Sequence, residues 1–163
     1  MMKNYMKIII LALMIFLLPV RLMLAKEPAA ALDFELQDTD QDIITLSSYK
    51  DKQSVVLLFW VTWSPLCQSE LRALNSTYAR LVKDDIEVLC INSGELSDTV
   101  DNFIRSYNLA YRVLLDKDAS VTTDFEIIGF PTYVLIDKKG DIVFKDNYFP
   151  YGEYKDLILK GEQ

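Results

Sequence analysis

The sequence predicts one α/β domain, with a mixed central sheet, helices on both faces and a small β-hairpin at its N-terminal end. Three observations carry that expectation. Val55 to Val61 and Ile86 to Ile91 are continuous apolar runs rich in β-branched residues, the pattern of strands covered on both faces. Ser64-Pro65 opens a helical pattern between them, so the two strands are joined by a crossover and run parallel. Towards the C-terminus, Thr132 to Ile136 and Ile142 to Phe144 flank Asp137-Lys138-Lys139-Gly140-Asp141, turn chemistry that adds an antiparallel edge.

In chain order, Lys26 to Ala31 reads as a linker and the domain as residues 32–163. Leu32-Asp33-Phe34-Glu35-Leu36 and Ile44-Thr45-Leu46 alternate apolar and polar residues around the polar turn Asp38 to Asp42, which makes the hairpin. The helix from Ser64-Pro65 to about Val82 has Ser at its cap and Pro in its first turn. Leu71, Leu74, Tyr78, Leu81 and Val82 recur along it at helical spacing. A second helix starts at Ser97-Asp98 and runs through Tyr107 with Val100, Phe103, Ile104 and Tyr107 on one face; a short one covers Asp118 to Phe125; a last one begins near Gly152.

Residues 1–25 carry Lys3 and Lys7, then an unbroken apolar run from Ile8 to Leu18, then Pro19, Val20, Arg21 and a last apolar stretch to Ala25. This is the layout of a signal peptide or an N-terminal membrane anchor. Ile8 to Leu24 as a helix would reach roughly 25 Å, short of the ~30 Å hydrocarbon core, and Arg21 interrupts it. Both readings put the domain outside the cytoplasm, because the basic residues ahead of the run stay inside. Any contact with a membrane would then be made by this segment, if it is retained. Cut after Ala25, the chain keeps 14 basic against 24 acidic residues, a net charge of -10.

The 163 residues include two cysteines and no histidine. Without His there is no Ser-His-Asp or Cys-His pair, no His-ligated zinc and no axial His to haem. Two cysteines are too few for a Cys-only metal site, and no motif calls for a metal, nucleotide or other cofactor. A pI near 4.6 with no basic tract argues against nucleic acid, since binding phosphates needs clustered Lys and Arg.

The chemistry concentrates at Phe59-Trp60-Val61-Thr62-Trp63-Ser64-Pro65-Leu66-Cys67, which joins the first buried strand to the N-terminus of the long helix. Free backbone N–H groups and the helix dipole there favour anions, so a thiol in that first turn tends towards a lowered pKa. Downstream, Gly129-Phe130-Pro131-Thr132 leads into a strand, where proline is tolerated as the first residue or in a cis-proline turn.

From Leu32 to Lys160 the chain resembles the thioredoxin-like redoxin family, in its TlpA-like or ResA-like extracytoplasmic branch. Leu32 to Leu36 resembles that branch's opening hairpin, and Leu57 to Trp63 its strand before the active site. Asn92-Ser93-Gly94-Glu95 resembles the turn bearing its active-site glutamate, and Gly129-Phe130-Pro131-Thr132 its cis-proline loop. The resemblance implies a thioredoxin fold and thiol-disulfide chemistry, with Cys67 and Glu95 as catalytic residues. Trp63, Pro65, Leu66, Phe130 and Pro131 would then form the active-site loop and substrate groove, and proteins or small molecules bearing thiols or disulfides would be the partners. The departure is at the chemistry itself, because Ser64 stands where the family has its attacking cysteine. A hydroxyl with no base beside it is a far weaker nucleophile, so the normal dithiol cycle is not expected.

Three readings follow. Cys67 could form a mixed disulfide as a single thiol, released by an external thiol, with Glu95 moving protons. Ser64-x-x-Cys67 could act like the Thr/Ser-x-x-Cys of peroxiredoxins, although Trp60 replaces their loop proline and their arginine near the later strand is missing. The domain could also be a non-catalytic module that binds partners around Trp63, Cys67 and Pro131. Blander readings stand beside these: Cys67 and Cys90 as small core residues, Glu95 as a solvated loop acid, and Trp60 and Trp63 as packing.

Overall fold

A computed structural model describes residues 29–161, and the expected signal or anchor segment lies outside them. The strands are β1 (Ala29–Ala30), β2 (Glu35–Asp38), β3 (Ile43–Thr45), β4 (Ser54–Trp60), β5 (Ile86–Ser93), β6 (Arg112–Asp116), β7 (Thr132–Ile136) and β8 (Asp141–Asp146). The helices are α1 (Pro65–Lys83), α2 (Ser97–Tyr107), α3 (Ser120–Asp124) and α4 (Tyr154–Gly161), with a 3-10 turn at Leu46–Tyr49. One eight-stranded sheet has the order β1-β8-β7-β4-β5-β6-β2-β3. Strands β4, β5 and β6 run parallel through crossover helices α1 and α2, while β7, β8 and β2 pair antiparallel.

Every residue of β4 is buried, as an apolar run with no polar face requires. Its even residues Val56, Leu58 and Trp60 pack with Cys67, Leu71 and Leu74 of α1, Val100 of α2 and Ile158 of α4. Its odd residues Val55, Leu57 and Phe59 pack on the other face with Phe34, Leu46, and Val121 and Phe125 from the α3 region. Alternation along one strand therefore builds two cores, which clamp the sheet between layers.

Four expectations need correcting. β6 is a central strand with no counterpart among the expected elements; Val113 to Asp116 are buried, but the run is too short for periodicity to mark it. Ala29–Ala30, assigned to the linker, pair with Ile142 and Asp141 of β8. The first hairpin strand is Glu35–Asp38 rather than Leu32 to Leu36, because Asp38 accepts from the backbone N–H groups of Asp40 and Asp42 and closes the turn later. Val82, expected on the apolar stripe of α1, is 52% exposed: it adjoins Leu81, about 100° away round the helix, and only Leu81 reaches the core.

Candidate functional site

Ser64 caps α1, and its Oγ accepts a 3.3 Å hydrogen bond from the N–H of Cys67. Pro65 follows, where its missing N–H costs nothing. Cys67 thus sits in the first turn of α1, as the sequence implied, but its side chain is turned into the core and its exposure is 0%. Burial pushes the Cys67 thiol above its ordinary range, outweighing the Ser64 hydroxyl and the Val61 backbone, which hydrogen-bond it and favour the thiolate. The charged group that bears on it is Glu95, which opposes ionisation further. Cys90 lies wholly inside β5, its thiol also pushed up by burial, and both cysteines are free.

Around the buried thiol the loop side chains face outward. Trp63 is 71% exposed, and Pro65 and Leu66 are exposed beside it. The Phe130–Pro131 peptide is cis, with Pro131 buried and Phe130 half-buried between the two cores. Asn147 fixes this turn by donating from Nδ2 to the carbonyl of Pro131 at 2.7 Å and to Thr132 Oγ1 at 3.2 Å. Among the described residues, no hydrogen bond engages the N–H or C=O of Phe130. Ile128, just ahead of it, and Leu96, just after Glu95, also project into solvent.

Glu95 is held inward. Its Oε1 accepts from Thr62 Oγ1 at 2.6 Å, and its Oε2 accepts from Thr62 N–H and from Asn92 Nδ2, both at 2.7 Å. Gly94 makes this possible: it has φ +69°, a left-handed conformation that side chains disfavour, and its N–H donates to the carbonyl of Asp116 at 2.8 Å. On the other side of Thr62, Gln68 Nε2 donates to the Thr62 carbonyl at 2.9 Å, and Tyr107 OH donates to Gln68 Oε1 at 2.9 Å. The sequence singled out Ser64, Cys67 and Glu95 but not Thr62, Asn92, Gln68 or Tyr107. Thr62 and Asn92 lay within motifs already quoted, but they meet Glu95 together only because the parallel register of β4 and β5 brings Trp60 opposite Asn92. Gln68 and Tyr107 join them through the packing of α1 and α2. Glu70, one helical turn beyond Cys67, was also not singled out; it accepts a 3.0 Å hydrogen bond from the hydroxyl of buried Tyr133.

An eight-stranded mixed sheet with parallel crossovers at its centre, a helix capped at a Ser-x-x-Cys sequence and a cis-proline turn define a redoxin with a thioredoxin-like fold. The AhpC/TSA family pattern matches residues 28–145, and the chain belongs to that family. Its relatives include thiol-disulfide oxidoreductases named ResA: one from Bacillus subtilis is 34% identical over 117 residues, 72% of this chain and 65% of that protein. Another, from Halalkalibacterium halodurans, is 31% identical over 120 residues, 74% of this chain and 68% of that one. The chain thus spans about two thirds of the length of these relatives. A putative thiol:disulfide interchange protein DsbE from Chlorobium tepidum superposes with a TM-score of 0.74 at 20% identity, over 85% of this chain and 99% of that one. StoA from Bacillus subtilis gives a TM-score of 0.67 at 25% identity, over 80% and 98%. The mixed sheet, the helices on both faces and membership of the redoxin family therefore stand as the sequence implied.

Proposed function

We propose that this chain is an exported redoxin that holds an extended polypeptide between the Trp63–Leu66 loop and the Phe130–Pro131 turn without running a dithiol cycle. The observation that carries this reading is the pairing of Ser64 at the attacking position with a Cys67 of 0% exposure. A nucleophilic thiol needs access and a stabilised thiolate, and here burial and Glu95 both work against ionisation. The open backbone of Phe130 offers an extended segment a donor and an acceptor, and exposed Trp63 and Leu66 offer apolar contact. Export rests on the basic residues and apolar run of positions 1–25.

A second reading is supported by the Ser64 hydroxyl and Val61 backbone lying against the thiol at a helix N-terminus: single-thiol exchange whenever Cys67 becomes accessible. Fluorescence anisotropy with a labelled, S-carboxymethylated insulin B chain separates the two. Binding that survives Cys67→Ala and weakens at least tenfold in Trp63→Ala is the expected result. Absence of binding to the unmodified protein overturns the proposal. Single-thiol exchange takes its place if Cys67 attacks a B chain whose cysteines are capped as mixed disulfides with glutathione, joining the chain and releasing glutathione at the rate of an open thiol.

A further inference from the structure

We infer that Glu95 is a latch that keeps Cys67 covered, acting through Thr62. The inference rests on the same reading of Cys67 as the covered thiol of the site and concerns what controls that cover. The chain passing from β4 into α1 runs through Val61, Thr62, Trp63 and Ser64; Val61 shares the buried cluster of Cys67, and Ser64 Oγ accepts from the Cys67 N–H. Thr62 lies between them and is the anchored point of the segment. Its N–H and hydroxyl go to the Glu95 carboxylate, and its carbonyl accepts from Gln68, the residue next to Cys67 on α1. All three of its polar groups are thus engaged, on partners from two other elements.

The strength of the anchor is one-sided. Glu95 takes three hydrogen bonds of 2.6 to 2.7 Å, charge-assisted and short, and it hangs from a turn that is itself tied to β6 through Gly94. The Gln68 contact is a single neutral bond at 2.9 Å. Removing the carboxylate leaves the stretch from Thr62 to Ser64 held by that one bond, by the cap of Ser64 on Cys67 N–H, which at 3.3 Å is long, and by the packing of Val61 in the α1-side core. The cover would then open locally at Thr62 to Ser64, while the cores, to which Thr62, Ser64 and Glu95 do not belong, stay packed around Val61. In this role Glu95 is a positioning residue: it acts on the thiol through the cover.

Cys90 gives an internal reference, because it is buried in mid-strand and becomes reactive only when the whole domain opens. The experiment is iodoacetamide labelling of the full chain at low urea, read at each cysteine by peptide mass spectrometry. Glu95→Ala should raise the Cys67 rate at least tenfold, with little dependence on urea, and leave the Cys90 rate within about twofold. Thr62→Val, which loses the hydroxyl alone, should lie between, and Thr62→Ser should restore the slow rate. If Glu95→Ala fails to fold, Thr62→Val against Thr62→Ser decides alone. The inference is overturned by unchanged Cys67 labelling in these variants, or by Cys67 and Cys90 accelerating together with the full urea dependence of global unfolding. Because labelling needs no partner, its failure leaves the polypeptide-binding test untouched, and the reverse holds too.

Discussion

One substitution separates this site from a working dithiol pair. The Ser64 hydroxyl already accepts from the N–H of Cys67 across the first turn of α1, so Ser64→Cys sets two cysteines three residues apart at that turn. The new thiol would also inherit the exposed flank of Trp63 and Pro65, where a thiolate can attack. Insulin reduction driven by dithiothreitol should therefore appear in Ser64→Cys and be lost again in the Ser64→Cys, Cys67→Ala double variant. The cost is a weaker helix cap, about 1 kcal/mol. An inactive Ser64→Cys protein that forms its disulfide normally would mean that the groove no longer admits a disulfide at all. The positions of Ser64 and Cys67 could be read from sequence because a strand, a cap and a helix follow one another there. Their accessibility could not: whether the thiol at the third helical position faces core or solvent depends on how α1 is rotated against β4.

At the scale of elements, what was legible followed from local chemistry. Ser64-Pro65 marked the start of α1, and the Asp137 to Asp141 turn marked the β7–β8 hairpin, each by residues that fix backbone geometry within a few positions. What was not legible depends on pairing across the chain. β6 is a strand because β5 and β2 flank it, and Thr62 meets Glu95 across 33 positions. The short helix α3 shows the same dependence. Ala119 at its cap has no side-chain acceptor to offer, so the carboxylate of Asp116, fully buried at the end of β6, takes over. It accepts from the N–H of Val121 at 3.2 Å and from the N–H and hydroxyl of Thr122 at 2.8 and 2.6 Å, and that hydroxyl also meets Ser93 Oγ at 2.9 Å. Asp116→Ala would strand these donors in the interior, which should cost about 3 kcal/mol or more in urea denaturation. Asp116→Asn keeps the acceptor oxygen and should recover part of that loss. A change below about 1 kcal/mol for Asp116→Ala would show that α3 is held by Val121 and Phe125 in the core instead.

For the molecule as a whole, the core on the α1 side is completed by groups that are neutral only while they keep a proton. Tyr111 is buried on the α1 side and donates its hydroxyl to the carbonyl of Leu71 at 2.9 Å. Tyr133 is buried on the same side and donates to Glu70, and Cys90 lies between them in sheet order, with no polar surroundings to stabilise a thiolate. Burial, the largest cause in each case, raises all three above their ordinary values. An acid whose folded pKa is raised contributes stability that is fully present below its unfolded pKa and is lost as the pH rises towards the folded one. The unfolded chain releases the Cys90 proton near pH 8.5 and the two tyrosine protons near pH 10, by the usual values of those groups. Stability should therefore be flat up to about pH 8. It should then fall by up to roughly 1.4 kcal/mol per pH unit for each retained thiol proton, Cys90 and Cys67 alike, and more steeply beyond about pH 10 as Tyr111, Tyr133 and the other raised tyrosines each add an increment. Urea unfolding at pH 7.5, 9 and 10.5 measures this, and Tyr111→Phe and Tyr133→Phe should each remove one increment from the steep limb. Unfolding free energies that stay level to pH 10.5 would mean that these hydroxyls ionise within the folded protein and that the interior on the α1 side is open to water.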